Sequence, residues 1–317
     1  MKRPVPRPIL CVELTPALQD TRVFAAIEMN GVNRALSVAR SPAGKSTNTA
    51  RVLNTIGPAP WLTGFTGGAT GALYRRGVAA LGLRAAWVAT AAPTRVCVTL
   101  LERDTQRVTE LIEEAPLPTR QEWLAFRRTF GRLISRAGLV TLSGSLMPGA
   151  PPTVYRDLAA LAAARRVPVI IDSQRAPLLE ALAARPALVK LNLRELGNTL
   201  GTPVKTLRAI AADARELLAR GAENVLVTHG EHGAWLVTTA TLWHFPSPRV
   251  PVCNSIGSGD AVTAGIASGL SRGQPLLEAV RLGIACGAAN VLTPTPGLVN
   301  LRDVKRLLPG IMYRRIA

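Results

Sequence analysis

GLVTLSGSLMPGAPPTVYRDLAALAAARRVPVIIDSQ, residues 138–174, reads as strand, helix, strand. GLVTLS and VPVIID are continuous apolar runs, the pattern of strands buried on both faces. VYRDLAALAAARR between them repeats its apolar positions at helical spacing. Strand–helix–strand with buried strands is the unit of a parallel sheet covered by helices. Both strands end in small or acidic residues: Gly144 and Ser145 after the first, Asp172 closing the second.

The same rhythm extends outward. Downstream, APLLEALAARP is a helix, ALVKLN a strand, TLRAIAADARELLARG a helix, and NVLVTHG and AWLVTT strands. Upstream, RPILCVEL is a strand, STNTARVLNTIG a helix and QEWLAFRRTFGRLISRA another. VFAAIEM, NRALSVA, TRVCVTLLE and QRVTELI read as short alternating strands without helices between them. They predict a small separate sheet, in segments of approximately 17–38 and 93–114, covering the site. No internal repeat, low-complexity tract or long linker divides residues 1–317, so one domain is expected.

Composition bounds the function. The chain has 317 residues, enough for a sizeable core, and 48% hydrophobic residues with no uninterrupted apolar run near the ~20 needed to span a bilayer. The basic start MKRPVPRPILCVEL is interrupted by Glu13 and lacks a cleavage pattern, so no signal peptide is expected. Cys11, Cys97, Cys253 and Cys286 form no CxxC pair, which fits a reducing cytoplasm. The net charge of +18 suits an anionic partner, yet the arginines are dispersed and aromatics, at 4%, are too few to stack bases. Nucleic acid is not the expected partner.

In open α/β sheets ligands sit at the carboxyl ends of the strands. Lys190 and Asn192 close ALVKLN with Glu195 following, and Thr228 and Gly230 follow NVLV. NSIGSGDAVTAGIASGL, residues 254–270, then sets Gly257, Ser258, Gly259 and Asp260 where a helix begins. A helix start gathers unpaired N–H groups and favours an anion. Asp260 there either caps the helix or stands beside a bound phosphate as a base.

The chain resembles the ribokinase-like (PfkB) carbohydrate kinases, in the branch of 1-phosphofructokinase and tagatose-6-phosphate kinase. LTPALQD, AGKSTNTARVLNTIG (similar to the family's GGKGxNxARxLxxLG), TRVCVTL, LSGSLMPGAPPTVY, KLNLREL, VTHGEHGAWLV, NSIGSGDAVTAG and GAANVLTPTPG follow one another in family order. The resemblance implies a three-layer α/β/α fold with a mostly parallel central sheet and a small β-sheet lid. It implies an ATP- and Mg²⁺-dependent transfer of phosphate to a hydroxyl of a hexose phosphate, the alternatives being an unphosphorylated sugar or nucleoside as acceptor, or a non-catalytic nucleotide- or sugar-binding relative. Asp260 would be the base, with Gly257, Ser258 and Gly259 forming the anion hole. Lys190, Asn192, Thr228, Gly230 and Asn290 would lie along the nucleotide, and Asn192 and Glu195 would serve Mg²⁺. Gln19, Gly44, Lys45, Asn48, Arg95 and Ser145 would face the acceptor, with Arg95 on its phosphate. A homodimer through the lid is expected.

Two rival motifs carry less. ARSPAGKST imitates a P-loop, but Ala39 replaces its first glycine and Pro42 removes an N–H from the cradle. His229 and His232 lack a third ligand. The departures from the family pattern fall on the acceptor side. Gln19 stands where an aspartate is expected, with Asp20 one residue on and therefore on the opposite strand face. Ala43 and Ser46 replace glycines, and Cys97 and Ile112 replace polar residues.

Overall fold

The computed structural model describes residues 7–204 and 206–316, so the basic residues 1–6 fall outside it. The chain opens with strand β1 (Ile9–Glu13), whose alternation serves two cores at once. Ile9 and Cys11 join the apolar cluster on one face of the sheet, and Leu10 and Val12 join the other. Strands β2 (Ala17–Phe24) and β3 (Ser37–Ala43) leave that sheet, and helix α1 (Lys45–Ile56) returns to it. β4 (Trp61–Gly67), α2 (Gly68–Ala80) and β5 (Arg84–Thr90) complete the first edge. β6 (Arg95–Glu102) and β7 (Val108–Ile112) leave it again.

After α3 (Arg120–Ile134) the alternation runs regularly: β8 (Leu139–Ser143), α4 (Val154–Ala163), β9 (Val169–Asp172), α5 (Arg175–Ala181), β10 (Leu188–Asn192) and α6 (Leu193–Leu200). Helix α7 (Leu207–Ala219) leads to β11 (Val225–Thr228), β12 (Ala234–Val237) and β13 (Leu242–Phe245). Helices α8 (Ser258–Ser271), α9 (Leu276–Asn290) and α10 (Leu301–Leu307) follow, and the two-residue β14 (Arg314–Arg315) closes the edge.

The large sheet has ten strands in the order β14-β13-β12-β11-β10-β9-β8-β1-β4-β5. It is parallel from β11 to β5, and β12, β13 and β14 pair antiparallel at one edge. Helices cover both faces, as double-sided burial requires. Phe126, Phe130 and Tyr155 fill one face beneath α3 and α4, and Leu53, Tyr74 and Ile266 fill the other beneath α1, α2 and α8. The fold is the expected three-layer α/β/α arrangement.

The expected small separate sheet is present, with order β3-β2-β6-β7, although its first two strands are displaced from the sequence reading. VFAAIEM and NRALSVA were expected as strands. Instead β2 starts at Ala17 and β3 continues to Ala43, and residues 25–36 form the connection. Asn30 holds φ at 63° and the Asn33 amide bonds to Glu28, which fixes a turn inside that connection. Residues 39–43 of the P-loop imitation thus lie on the edge strand β3, which tolerates Pro42, and Lys45, Ser46 and Thr47 open α1.

Candidate active site

Three parallel strands deliver a carboxylate, lysine or amide to one edge of the sheet, and a fourth delivers a hydroxyl. β9 ends at Asp172, β10 carries Lys190 and ends at Asn192, and β1 ends at Glu13; Asn192 sits in register with Thr228 of β11. Opposite them stand the first turns of α1 and α8.

Asp172 is the hub. It is fully buried, and its two oxygens accept from Lys45 Nζ at 2.9 Å and Lys190 Nζ at 2.8 Å, with Thr263 Oγ1 adding a third donor at 3.1 Å. Burial alone would raise its pKa, but the two lysines outweigh that and hold it well below the usual carboxylate range. Lys45 also reaches Glu195 Oε1 at 3.1 Å. Burial pulls Lys45 down, and the carboxylates of Asp172, Glu195 and Asp260 more than reverse it, so it stays charged.

Asp260 lies in the first turn of α8, buried, accepting from Asn48 Nδ2 at 2.8 Å. Burial is the main reason its pKa rises to about 6, with Asp172 adding to the rise; Lys45, Lys190 and Asn48 oppose it. A carboxylate tuned close to neutrality can accept a proton and release it again. Gly257 caps α8 at φ 81°, a left-handed backbone that glycine adopts without strain. The helix start leaves the Gly259 and Asp260 N–H groups without an intrahelical acceptor. Lys190 lies against this turn, since a Cβ on Gly259 would meet its Nζ at 2.7 Å. Dipole, free N–H groups and a buried cation all favour an anion here.

Several expected residues are engaged by protein partners. Lys45, expected against the sugar, is bound between Asp172 and Glu195. Lys190 was expected along the nucleotide; it is buried and points to Asp172 and Gly259. Asn290, expected beside the adenine, is fully buried with both ends of its amide engaged. Its Nδ2 donates to the Ile256 carbonyl and its Oδ1 accepts from Gly297 N, so it braces the turn before Gly257. Asn192 and Glu195 form a reciprocal capping box at the start of α6, which uses Asn192 Oδ1 and Glu195 Oε2. Among the described residues no group of three or more histidine, cysteine or carboxylate side chains is arranged to hold a metal ion.

Asn192, Thr228 and the exposed Gly230 line one cleft of about 870 Å³ together with Arg194, Asn198 and His229. His232, Trp235 and His244 stack beyond His229, and His244 is tied to the His232 carbonyl, so these rings read as packing rather than as ligands.

On the lid, Gln19, Cys97 and Ile112 fall in one cross-strand row, with Ser41 completing it. Gln19 donates to Thr99 Oγ1 at 2.8 Å. Asp20, on the opposite face, is held by Arg22 and Arg40, so it does not replace the missing acid. Arg95 shares the face of Gln19, but its fork is already in use. Nη1 donates to the Glu113 carbonyl and Nη2 to the Thr15 carbonyl, while Nε is buried without a partner. Ser145 is exposed, and its carbonyl takes the Thr15 hydroxyl at 3.4 Å. Gly44 packs on Glu13, whose Oε2 would lie 2.2 Å from any Cβ there.

Glu13 was missed as a site residue. It is buried, accepts from the Thr47 N–H and hydroxyl at the start of α1, and burial pushes it up to about 7 against those two donors. The signal was available, because an acid interrupts an otherwise apolar strand.

Comparison with known proteins establishes the family. Residues 17–301 match the model of the pfkB family carbohydrate kinases. The chain is 30% identical to 1-phosphofructokinase of Bacillus subtilis (strain 168) over 308 residues, covering 97% of this chain and all of that one. Phosphofructokinase-2 from Escherichia coli, solved in complex with potassium, superposes with a TM-score of 0.90 at 24% identity, covering 96% of this chain and 99% of that one. Ribokinase of Arabidopsis thaliana, solved with ribose and ATP, superposes with a TM-score of 0.78 at 20% identity over 95% and 98% of the two chains. The chain belongs to the pfkB family of carbohydrate kinases.

Proposed function

We propose that this carbohydrate kinase transfers the γ-phosphate of ATP to a hydroxyl of a hexose phosphate, of the fructose 1-phosphate, fructose 6-phosphate or tagatose 6-phosphate class. The phosphofructokinase named among its relatives supports the acceptor class. ATP fits the family and the nucleotide held by the ribokinase. The observation that carries the chemistry is Asp260: a buried carboxylate with a pKa of about 6, in the first turn of a helix whose free N–H groups and Lys190 face the same space.

Phosphoryl transfer calls chiefly for positioning and charge stabilisation. Asp260 would take the proton of the attacking hydroxyl, with Asn48 orienting it. The backbone of residues 257–260 would cradle the transferred phosphate, and Lys45 and Lys190 would offset its charge. Arg95 would meet the acceptor's own phosphate with Nε, its Nη2 being held by the Thr15 carbonyl after β1 and its Nη1 by the Glu113 carbonyl after β7. Gln19 would offer its amide oxygen to a sugar hydroxyl. The cleft beside Asn192, Thr228 and Gly230 would take the nucleotide.

Mg²⁺ suits this donor set only in part. The ion keeps several waters and takes one or two carboxylates plus substrate phosphates. Glu195, and Asn192 through water, would hold it, and it would supply neutralisation of the nucleotide's phosphates. The lid strands expose Val38, Val108, Leu111 and Ile112, which supports pairing of two lids in a homodimer. No helix among the described residues is long and apolar enough to cross a membrane, and four free cysteines fit a cytoplasmic setting.

The test is ADP release with ATP and Mg²⁺ across fructose 1-phosphate, fructose 6-phosphate, tagatose 6-phosphate, fructose, ribose and a nucleoside. Turnover confined to a phosphosugar and lost in Asp260→Asn is the expected result. Turnover with fructose or ribose alone would overturn the acceptor class.

A further inference from the structure

Arg51 lies on α1 one turn beyond Asn48, and it is 7% exposed, an unusual depth for a guanidinium. It forms no carboxylate pair in the hydrogen bonds that hold it. Its Nη2 donates to the Pro42 carbonyl at 3.1 Å and its Nη1 to the Pro296 carbonyl at 2.7 Å, and Nε is buried without a partner. A buried cation satisfied by two backbone carbonyls spends its desolvation on holding two segments at a fixed spacing.

Those two segments matter. Pro42 is the next-to-last residue of β3, where the lid joins α1, and its ring packs on Gly77 of α2. Pro296 precedes Gly297, whose backbone is wedged between two parts of the site. A Cβ on Gly297 would meet Asn48 Cα at 2.7 Å, and a Cβ on Gly257 would meet Gly297 N at 2.6 Å. Asn48 in turn holds Asp260 Oδ2, and Asn290 fixes Gly297 N to the carbonyl before Gly257. One side chain therefore spans from the root of the lid to the backbone supporting both the anion-binding turn and the amide that orients Asp260.

We infer that Arg51 is a positioning residue that links the seating of the lid to the geometry of the Gly257–Asp260 turn. Displacement of β3 at Pro42 moves the guanidinium, and the guanidinium moves Pro296–Gly297 against Gly257 and Asn48. The turn then reaches its transfer geometry only when the lid is seated over an acceptor, which limits transfer to water. A lysine cannot serve, because one ammonium on a single stem does not span two carbonyls with a planar fork.

The experiment compares wild type, Arg51→Lys and Arg51→Met. Amide hydrogen exchange is followed over residues 37–41 and 258–260, together with ATP turnover with and without fructose 1-phosphate or fructose 6-phosphate. In Arg51→Lys, exchange rises in both segments together, kcat falls roughly 10- to 100-fold, as misplacement at a distance from the chemistry produces, and acceptor KM changes far less. Acceptor-independent ADP release becomes a larger share of turnover. A lowered Tm with unchanged exchange at 258–260 and unchanged kcat would overturn the inference and leave Arg51 a packing residue; so would a rise confined to 37–41. If Arg51→Met does not fold, the lysine variant decides. If wild type uses neither acceptor, the proposed reaction fails, while the exchange result still judges the link.

Discussion

The transfer edge and the lid solve opposite problems with similar residues. At the transfer edge Lys190 and Asp172 are 3% and 1% exposed and pair with each other. On the lid Asp20 is held by Arg22 and Arg40, which are 43% and 59% exposed. β7 is exposed along its whole length, whereas β8 is buried along its own. The first region fixes charges where solvent cannot screen them; the second keeps them where water tolerates substitution. Acceptor-side departures such as Gln19, Cys97 and Ile112 gather in one row of the lid, while Asp260 and its supports follow the family pattern. In the proposed reading, chemistry belongs to the buried sheet edge and acceptor choice to the exposed small sheet.

Five variants would break or sharpen that contrast. Asp260→Asn is expected to lower transfer by roughly 10²–10⁴-fold with ATP binding retained, checked by ADP release and nucleotide titration. Because the folded pKa is raised to about 6, this carboxyl's contribution to stability is full below its unfolded value and is lost as pH rises through 6. The same variant should therefore unfold at higher urea than wild type at pH 8. Wild-type kcat should fall as pH drops below about 6, and Asn48→Ala should move that limb to higher pH, since the lost donor favours the charged form.

Asp172→Ala leaves Lys190 buried without its partner and is expected to destabilise by about 3–5 kcal/mol, read from urea unfolding at pH 7. Asp172's depressed pKa places this stabilisation above its unfolded value and removes it as pH falls further. Arg95→Ala should raise the KM for a phosphosugar roughly 10- to 100-fold, the loss of a charge-assisted bond, with the KM for ATP unchanged. Gln19→Leu should have the smallest effect, a change of a few fold in acceptor KM at constant kcat. A large effect there, or a small one at Asp260, would reverse the contrast.

The regular half of the fold was legible because β8, β9, β10 and β11 are short apolar runs separated by periodic helices. The stretch from β4 through α2 to β5 was not. Its glycines and alanines, as in TGFTGGATGALYRRGVAALG, erase both periods. β2 was obscured because its polar Gln19, Asp20 and Thr21 suit a sheet that stands away from the core. In the site, Asp260 and its turn were legible as a local motif. The pairing of Lys45 with Asp172 joins residues 127 positions apart and that of Asn48 with Asp260 joins residues 212 apart. Local pattern carries no trace of such partners, so the protein contacts of Lys45 and Asn290 could not be read from the sequence.

The lid's central pair has a consequence for how the chain assembles. β2 and β6 run parallel, and Gln19 bonds Thr99 across 80 positions of chain containing α1, β4, α2 and β5. Those intervening elements must be docked before the two strands can meet, because the entropy of closing so long a loop is otherwise unopposed. In refolding, the pairing of β2 with β6 is therefore expected to follow the docking of α1, β4, α2 and β5, so that the small sheet closes late.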